Sequence, residues 1–210
     1  MTLILNSKEI KNIVPLNSEL IPIIESAFKS LSKGEIVMPP ILRLDIKKYH
    51  GESDVKTAYI EGLDSFAIKV ASGFFNNPSY GLPSSNGLMI LLDSKTGILK
   101  SVLLDKGYLT DVRTAIAGAI ASKYLSNPDI ENVGIIGAGI QAKLQLDALM
   151  LVRKPKKIKI WGRDPVKVKK FIKNFKTPIL IESCLSAQEL VVSSELVITT
   201  TPSSEPLIKN

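Results

Sequence analysis

Cysteine and histidine are almost missing from this sequence: Cys184 and His50 are the only residues of their kinds in 210. A disulfide framework, a zinc cluster and a Ser-His-Asp triad therefore lack their parts, and no metal site is expected. His50 is expected in the loop Tyr49-His50-Gly51-Glu52-Ser53, and Cys184 in the core. No apolar run approaches the length that spans a bilayer, and the N-terminus turns polar at Asn6-Ser7-Lys8, too early for a signal peptide. Both absences predict a cytoplasmic protein with no membrane partner. Hydrophobic residues are not scarce: at 45% against 22% charged they exclude disorder, and the length allows one large domain or two small ones.

Acidic residues are scarce in one place only. Between Arg153 and Lys176 eleven Lys and Arg stand against Asp164 alone, a local charge of +10, so the chain's net +7 comes entirely from this segment. Such a cluster is either a solvated helix face or an anion site. Nucleic acid is the least favoured partner, because Trp161, Phe171 and Phe175 fit core positions as well as stacking ones.

Periodicity divides the chain. Leu20, Ile23, Ile24, Ala27, Phe28 and Leu31 form one apolar helix face within 18–31, ended by Gly34. Short apolar runs at 41–46, 57–60, 65–71, 87–92 and 98–104, separated by turn formers, read as a mostly antiparallel meander. A helix follows Thr110, with Thr110 or Asp111 as its N-cap, and ends before Asn127-Pro128-Asp129. Beyond it strands (133–136, 157–161, 178–181, 196–200) alternate with helices (139–151, 165–174, 186–192), the pattern of a helix-covered parallel sheet. The fold expected is α/β: an α+β domain over 1–128, then a partial, Rossmann-type doubly wound sheet over 129–210.

Val133-Gly134-Ile135-Ile136 is followed by Gly137-Ala138-Gly139-Ile140-Gln141-Ala142. A G-x-G-x-x-A turn between strand and helix lets the backbone approach a pyrophosphate at the helix N-terminus; otherwise its glycines serve helix packing alone. The next strand ends at Gly162-Arg163-Asp164. Gly162 stands where an NAD site places its ribose acid, whereas Arg163 can pair with a 2′-phosphate, which favours NADP(H) and leaves NAD(H) possible through Asp164. Lys69 alternates with Ala67 and Ala71 on a strand, suiting either a pocket floor or a wet sheet face. Arg113, read in a helix's first turn, opposes the macrodipole unless an anion sits there; an ion pair with Asp105 or Asp111 is the plainer alternative.

These segments, from Lys69 through Asn77-Pro78, Gly81-Leu82-Pro83, Leu91-Leu92-Asp93 and Thr96-Gly97 to Leu109-Thr110-Asp111-Val112-Arg113-Thr114-Ala115 and the glycine turn, resemble in order and spacing the ornithine cyclodeaminase/mu-crystallin family. Thr199-Thr200-Thr201-Pro202-Ser203 is similar to that family's turn after the fourth Rossmann strand. The resemblance implies a nicotinamide-dependent homodimer. Hydride would pass between the cofactor and the α-carbon of a small amino acid, keto acid or cyclic imine, in a cyclodeaminase or an imine reductase or dehydrogenase.

It also implies site residues. Lys69, the catalytic candidate, and Arg113 would hold the substrate carboxylate, with Arg43 as third member two residues later than the family pattern. Ser84, Gly139, Ile140, Thr200 and Thr201 would bind cofactor, beside Gly137 and Gln141 of the glycine turn and Arg163 at the strand end, which the residues themselves suggest. The family's sequences continue with a catalytic aspartate that has no counterpart here. The expectation for these 210 residues alone is therefore weak or absent turnover, the alternative being a non-catalytic NADP(H) or small-ligand binding protein of mu-crystallin type.

Overall fold

The computed structural model describes residues 2–208. The chain forms two compact units, one of residues 1–15 and 22–111, the other of 16–21 and 112–210.

The first unit is a seven-stranded sheet with two helices. Strand β1 (Leu3–Asn6) runs into helix α1 (Ser7–Ile13), which opens with a capping box: Asn6 accepts from the amides of Lys8 and Glu9 while Glu9 accepts from that of Asn6. Helix α2 (Leu20–Lys33) begins in the other unit, and short β2 (Ile36–Val37) follows it. The meander is β3 (Leu42–Ile46), β4 (Gly51–Ile60), β5 (Ser65–Phe74), β6 (Ser85–Asp93) and β7 (Leu99–Leu104). Strand order is β1-β7-β6-β5-β4-β2, with β3 also on β4; only the β1–β7 pair is parallel. Every residue of β4 after Gly51, and all of β5, is half-buried on either face. Ile23, Phe28 and Leu31 of α2 are exposed, as are Leu42 and Leu44 of β3.

The second unit is built around a parallel sheet of order β10-β9-β8-β11. Its elements are α3 (Tyr108–Leu125, from Val112 onward), β8 (Asn132–Ile136), α4 (Ile140–Leu149), β9 (Lys157–Trp161), α5 (Pro165–Asn174), β10 (Leu180–Ser183), α6 (Ala187–Val192) and β11 (Leu196–Thr199). This strand order places the chain reversal between β8 and β11, the switch point where doubly wound sheets bind ligands. Val133, Ile135, Leu146, Leu149, Ile158, Ile160, Val168, Phe171 and Phe175 form one continuous core. No helix among the described residues is long and apolar enough to cross a membrane.

Of the boundaries that differ from the sequence reading, three bear on the residues singled out there. Helix α3 starts at Tyr108, so neither Thr110 nor Asp111 is its N-cap: Asp105 Oδ2 accepts the Leu109 amide at 2.7 Å, and Lys106 and Gly107 turn the chain with positive φ. Arg113 therefore lies in the second helical turn. The two compact units divide at Asp111/Val112, inside the 1–128 domain of the sequence reading, and α3 carries buried Val112, Ala115, Ile116, Ala119 and Ile120 in the second unit. The loop around His50 is shorter than expected, since β4 already begins at Gly51.

Candidate functional site

The glycine turn joins three strand ends. The Gly137 amide donates to the Trp161 carbonyl at 2.8 Å, ending β8 against β9. On the other side the Thr200 amide and hydroxyl both donate to the Ile136 carbonyl, at 2.8 and 3.1 Å. Gly137 has φ +117, and a Cβ there would lie 2.5 Å from Thr200 Oγ1, so only glycine fits. Gly139 is different: its φ is −93, and a Cβ would meet nothing within 4 Å. It is the N-cap of α4 and supplies no side-chain acceptor to the first-turn amides. These amides and the helix dipole make an anion seat over open space. Ile140 and Gln141 stand in that first turn, and Thr201 follows Thr200 half-buried.

At the end of β9 the acid is already engaged. Asp164 caps α5, its Oδ1 accepting the amides of Val166 at 2.9 Å and Lys167 at 3.2 Å. Arg163 beside it is exposed. The basic segment is also less uniform than its sequence suggests. Arg153 is buried, with its guanidinium on the carbonyls of Ser122, Lys123, Ser126 and Val152. Lys156 pairs with Glu131 and Lys157 with Glu182, while Lys159 donates to the Ser193 carbonyl at 3.0 Å. What remains is Lys154, Arg163, the lysines of α5 and Lys176. Phe171 and Phe175 are buried and stacked on each other at 5.4 Å, which removes them as platforms for bases.

In the first unit, register places Lys69 opposite Lys56 on β4 and Met89 on β6, with Ala67 and Ala71 along its own strand face. Like charges opposite each other repel, but Lys56 is held 3.0 Å from Asp54. Arg43 lies opposite Asp54 and so shares this sheet face. It does not offer an unpaired charge: Asp45 accepts from Nε at 2.9 Å, Glu52 from Nη2, and Asp54 stands 3.7 Å from Nη1. The hydrogen bonds that it donates to Asp45 and Glu52 hold its guanidinium more firmly protonated than usual. Ser84 precedes β6 and accepts the Phe74 amide at its carbonyl.

In the second unit, Arg113 is exposed on α3. The small-residue face beyond it is filled by a side chain, because Gln145 of α4 lies against Gly118. Cys184 packs against Ile136 and Leu190 as a core residue, and burial pushes its thiol above the ordinary range. Among the described residues no group of metal-ligating side chains occurs. Thr200, expected beside the cofactor, also packs on Gly137, a part that the sequence does not signal. The glycine turn fits a dinucleotide, since a Cβ at Gly139 would meet open space at a helix start that has no side-chain cap.

An uncharacterized cyclodeaminase of Sinorhizobium fredii is 48% identical over 208 residues, covering 98% of this chain and 63% of that protein. The Thermococcus litoralis Δ1-pyrroline-2-carboxylate reductase, solved with NADH and L-proline, superposes with a TM-score of 0.92 at 32% identity over 99% of this chain and 64% of its own. An archaeal alanine dehydrogenase dimer with bound NAD gives 0.89 at 31% identity, covering 99% and 62%. The chain thus spans somewhat less than two thirds of the length of the relatives it matches. Its sequence matches the ornithine cyclodeaminase/mu-crystallin family over residues 1–210, and the chain belongs to that family.

Proposed function

We propose that this chain is the dinucleotide- and substrate-binding part of an NADP(H)-preferring enzyme acting on a small α-amino acid or its cyclic imine. The observation that carries this reading is the uncapped first turn of α4 above Gly139, an anion seat at the switch point of a parallel sheet. A bound nicotinamide supplies hydride acceptance or return at its C4. The protein's part is positional: α4 amides hold the pyrophosphate, and Gly137 lets the turn pass beneath Thr200. Relatives that reduce pyrroline-2-carboxylate or act on alanine support the substrate class. Lys69 and Arg113 are the cations assigned to the substrate carboxylate, each through the family resemblance. Arg43, held by three acids, is assigned a structural part in β3 and β4.

Preference for the 2′-phosphorylated cofactor rests on Asp164. With its carboxylate engaged at the α5 cap it is a poor ribose ligand, Gly162 has no side chain, and Arg163 is exposed for a phosphate. We assign a homodimer to the exposed apolar residues of α2 and β3, in keeping with the dimeric alanine dehydrogenase neighbour.

Titration of NADPH and NADH by protein-enhanced nicotinamide fluorescence tests the reading. NADPH is expected to bind more tightly, by roughly 10- to 100-fold for a charge-assisted phosphate contact, and Arg163→Ala should abolish the difference. Equal affinities before and after that substitution would overturn the preference. No binding of either dinucleotide would overturn the reading itself.

A further inference from the structure

Seven cations remain once the basic segment has been sorted by partner: Lys154, Arg163, Lys167, Lys169, Lys170, Lys173 and Lys176. All are exposed, and among the described residues none of them forms an ion pair. Five of the seven belong to α5 or the turn before it. Buried Val168 and Phe171 turn the helix so that its lysines stand on the solvent side. The arrangement is unfavourable for the helix taken alone. Arg163 and Lys167, like Lys169 and Lys173, are like charges four residues apart, and the first turn holds a lysine and no acid beyond the capping Asp164. Neither feature contributes to the core.

The helix starts where the cofactor's adenosine end would lie. Its axis leads away from that point, rising about 1.5 Å per residue, so Lys167 is ~3 Å, Lys170 ~7.5 Å and Lys173 ~12 Å along it from Pro165. Charge therefore recedes from the site in steps of ~4.5 Å, and over the helix spans a distance comparable with the screening length of about 8 Å at physiological salt.

We propose that the lysine face of α5 is a graded electrostatic guide that accelerates capture of an anionic dinucleotide, with Lys167 dominant, Lys170 secondary and Lys173 silent at physiological salt. The proposal rests on the dinucleotide reading above and adds to it a kinetic role for residues that make no contact in the bound complex. Long-range attraction raises association rates and leaves dissociation unchanged when the charge lies outside the contact. Cofactor charge matters too: NADPH carries the additional phosphate, so its association should respond more than that of NADH.

Stopped-flow association of NADPH and NADH with wild type, Lys167→Glu, Lys170→Glu and Lys173→Glu tests this at ~150 mM and ~20 mM salt. At the higher salt NADPH association should slow about fivefold in K167E, about twofold in K170E and not measurably in K173E, with dissociation unchanged. At the lower salt K173E should slow as well. These are solvent-facing lysines, and unchanged melting curves verify that each variant is folded. Association rates insensitive to K167E for both dinucleotides would overturn the proposal. So would equal slowing by all three variants, which marks a uniform stripe for a longer polyanion; competition by duplex DNA would then identify it. Failure of the NADP preference reads out separately, in the Arg163→Ala affinities, and NADH association still scores the gradient.

Discussion

Gln145 and Gly118 occupy one another's space: a Cβ on Gly118 would lie 1.9 Å from Gln145 Oε1, while Gln145 Nε2 donates to the Thr114 carbonyl at 3.1 Å. A buried amide thus bridges α4 to the middle of α3 only because the helix has a glycine there. Gly→Ala within a helix normally gains about 1 kcal/mol. Here Gly118→Ala should destabilise by about 1–2 kcal/mol, since it expels a buried polar group from its partner. The check is a double-mutant cycle: in a Gln145→Ala background the same substitution should stabilise, and a loss of equal size in both backgrounds would dissolve the coupling.

Arg153 closes the C-terminus of α3. Its Nη2 reaches the carbonyls of Ser122, Lys123 and Ser126 at 3.0, 2.7 and 3.0 Å, and its Nε the Ser126 hydroxyl at 3.1 Å. The negative end of the helix dipole takes the place of an acid partner. Arg153→Met is expected to cost about 3 kcal/mol through the stranded carbonyls, and Arg153→Lys most of that, because an ammonium cannot form the fork. Denaturant melts of the three proteins decide it; a lysine variant as stable as wild type would show that charge alone suffices.

The two glycines of the dinucleotide turn should separate by phenotype. Gly137→Ala places its methyl on Thr200 at a φ of +117 and should lower both stability, by about 2 kcal/mol or more, and cofactor affinity. Gly139→Ala meets no protein atom and should leave the melting curve unchanged while weakening dinucleotide binding at least tenfold. Unaltered affinity in Gly139→Ala would move the pyrophosphate elsewhere.

Acid should loosen the turn after β6. Asp93 Oδ1 accepts the Thr96 hydroxyl at 2.9 Å and the amides of Lys95 and Thr96 at 3.0 and 2.9 Å, bonds that hold its carboxyl below the usual range. Asp64 is lowered similarly, chiefly by its hydrogen bond from Lys100. For a carboxyl depressed in the folded state, the stabilisation is complete above the unfolded value of about 3.9 and is lost as pH falls through the folded one. Far-UV melts below about pH 4 should thus show wild type losing stability faster than Asp93→Asn. Parallel acid curves would assign the loss to other groups.

Helix α5 is legible in the sequence to the residue, because Pro165, the Asp164 cap and the Val168, Phe171 and Phe175 face all agree locally. The start of α3 is not: its cap acts across a Lys106-Gly107 turn in which a lysine adopts positive φ, a conformation no propensity favours. Strand β1 is missed for another reason. Its partner β7 lies almost a hundred residues away, so Leu3–Asn6 has no local pattern, although Asn6 and Glu9 spell out the capping box of α1. The first half of β4 is polar, and its pairing with β3 is fixed by side chains such as Arg43 with Glu52. The family resemblance implies a substrate carboxylate for Arg43, whereas the register brings the protein's own carboxylates around it.

Burial is very unequal in the two units: the parallel sheet has buried residues along β8 and β9, whereas the ten-residue strands β4 and β5 are never more than half-buried after Gly51. Trp161, the chain's sole tryptophan, belongs to the well-buried unit, while Tyr49, Tyr59, Tyr80 and Tyr108 belong to the other. Indole emission therefore reports loss of one half of the molecule, and tyrosine signals mainly the other. Halves stabilised so differently need not share one cooperative transition, and noncoincident curves from the two fluorophores would be its spectroscopic mark.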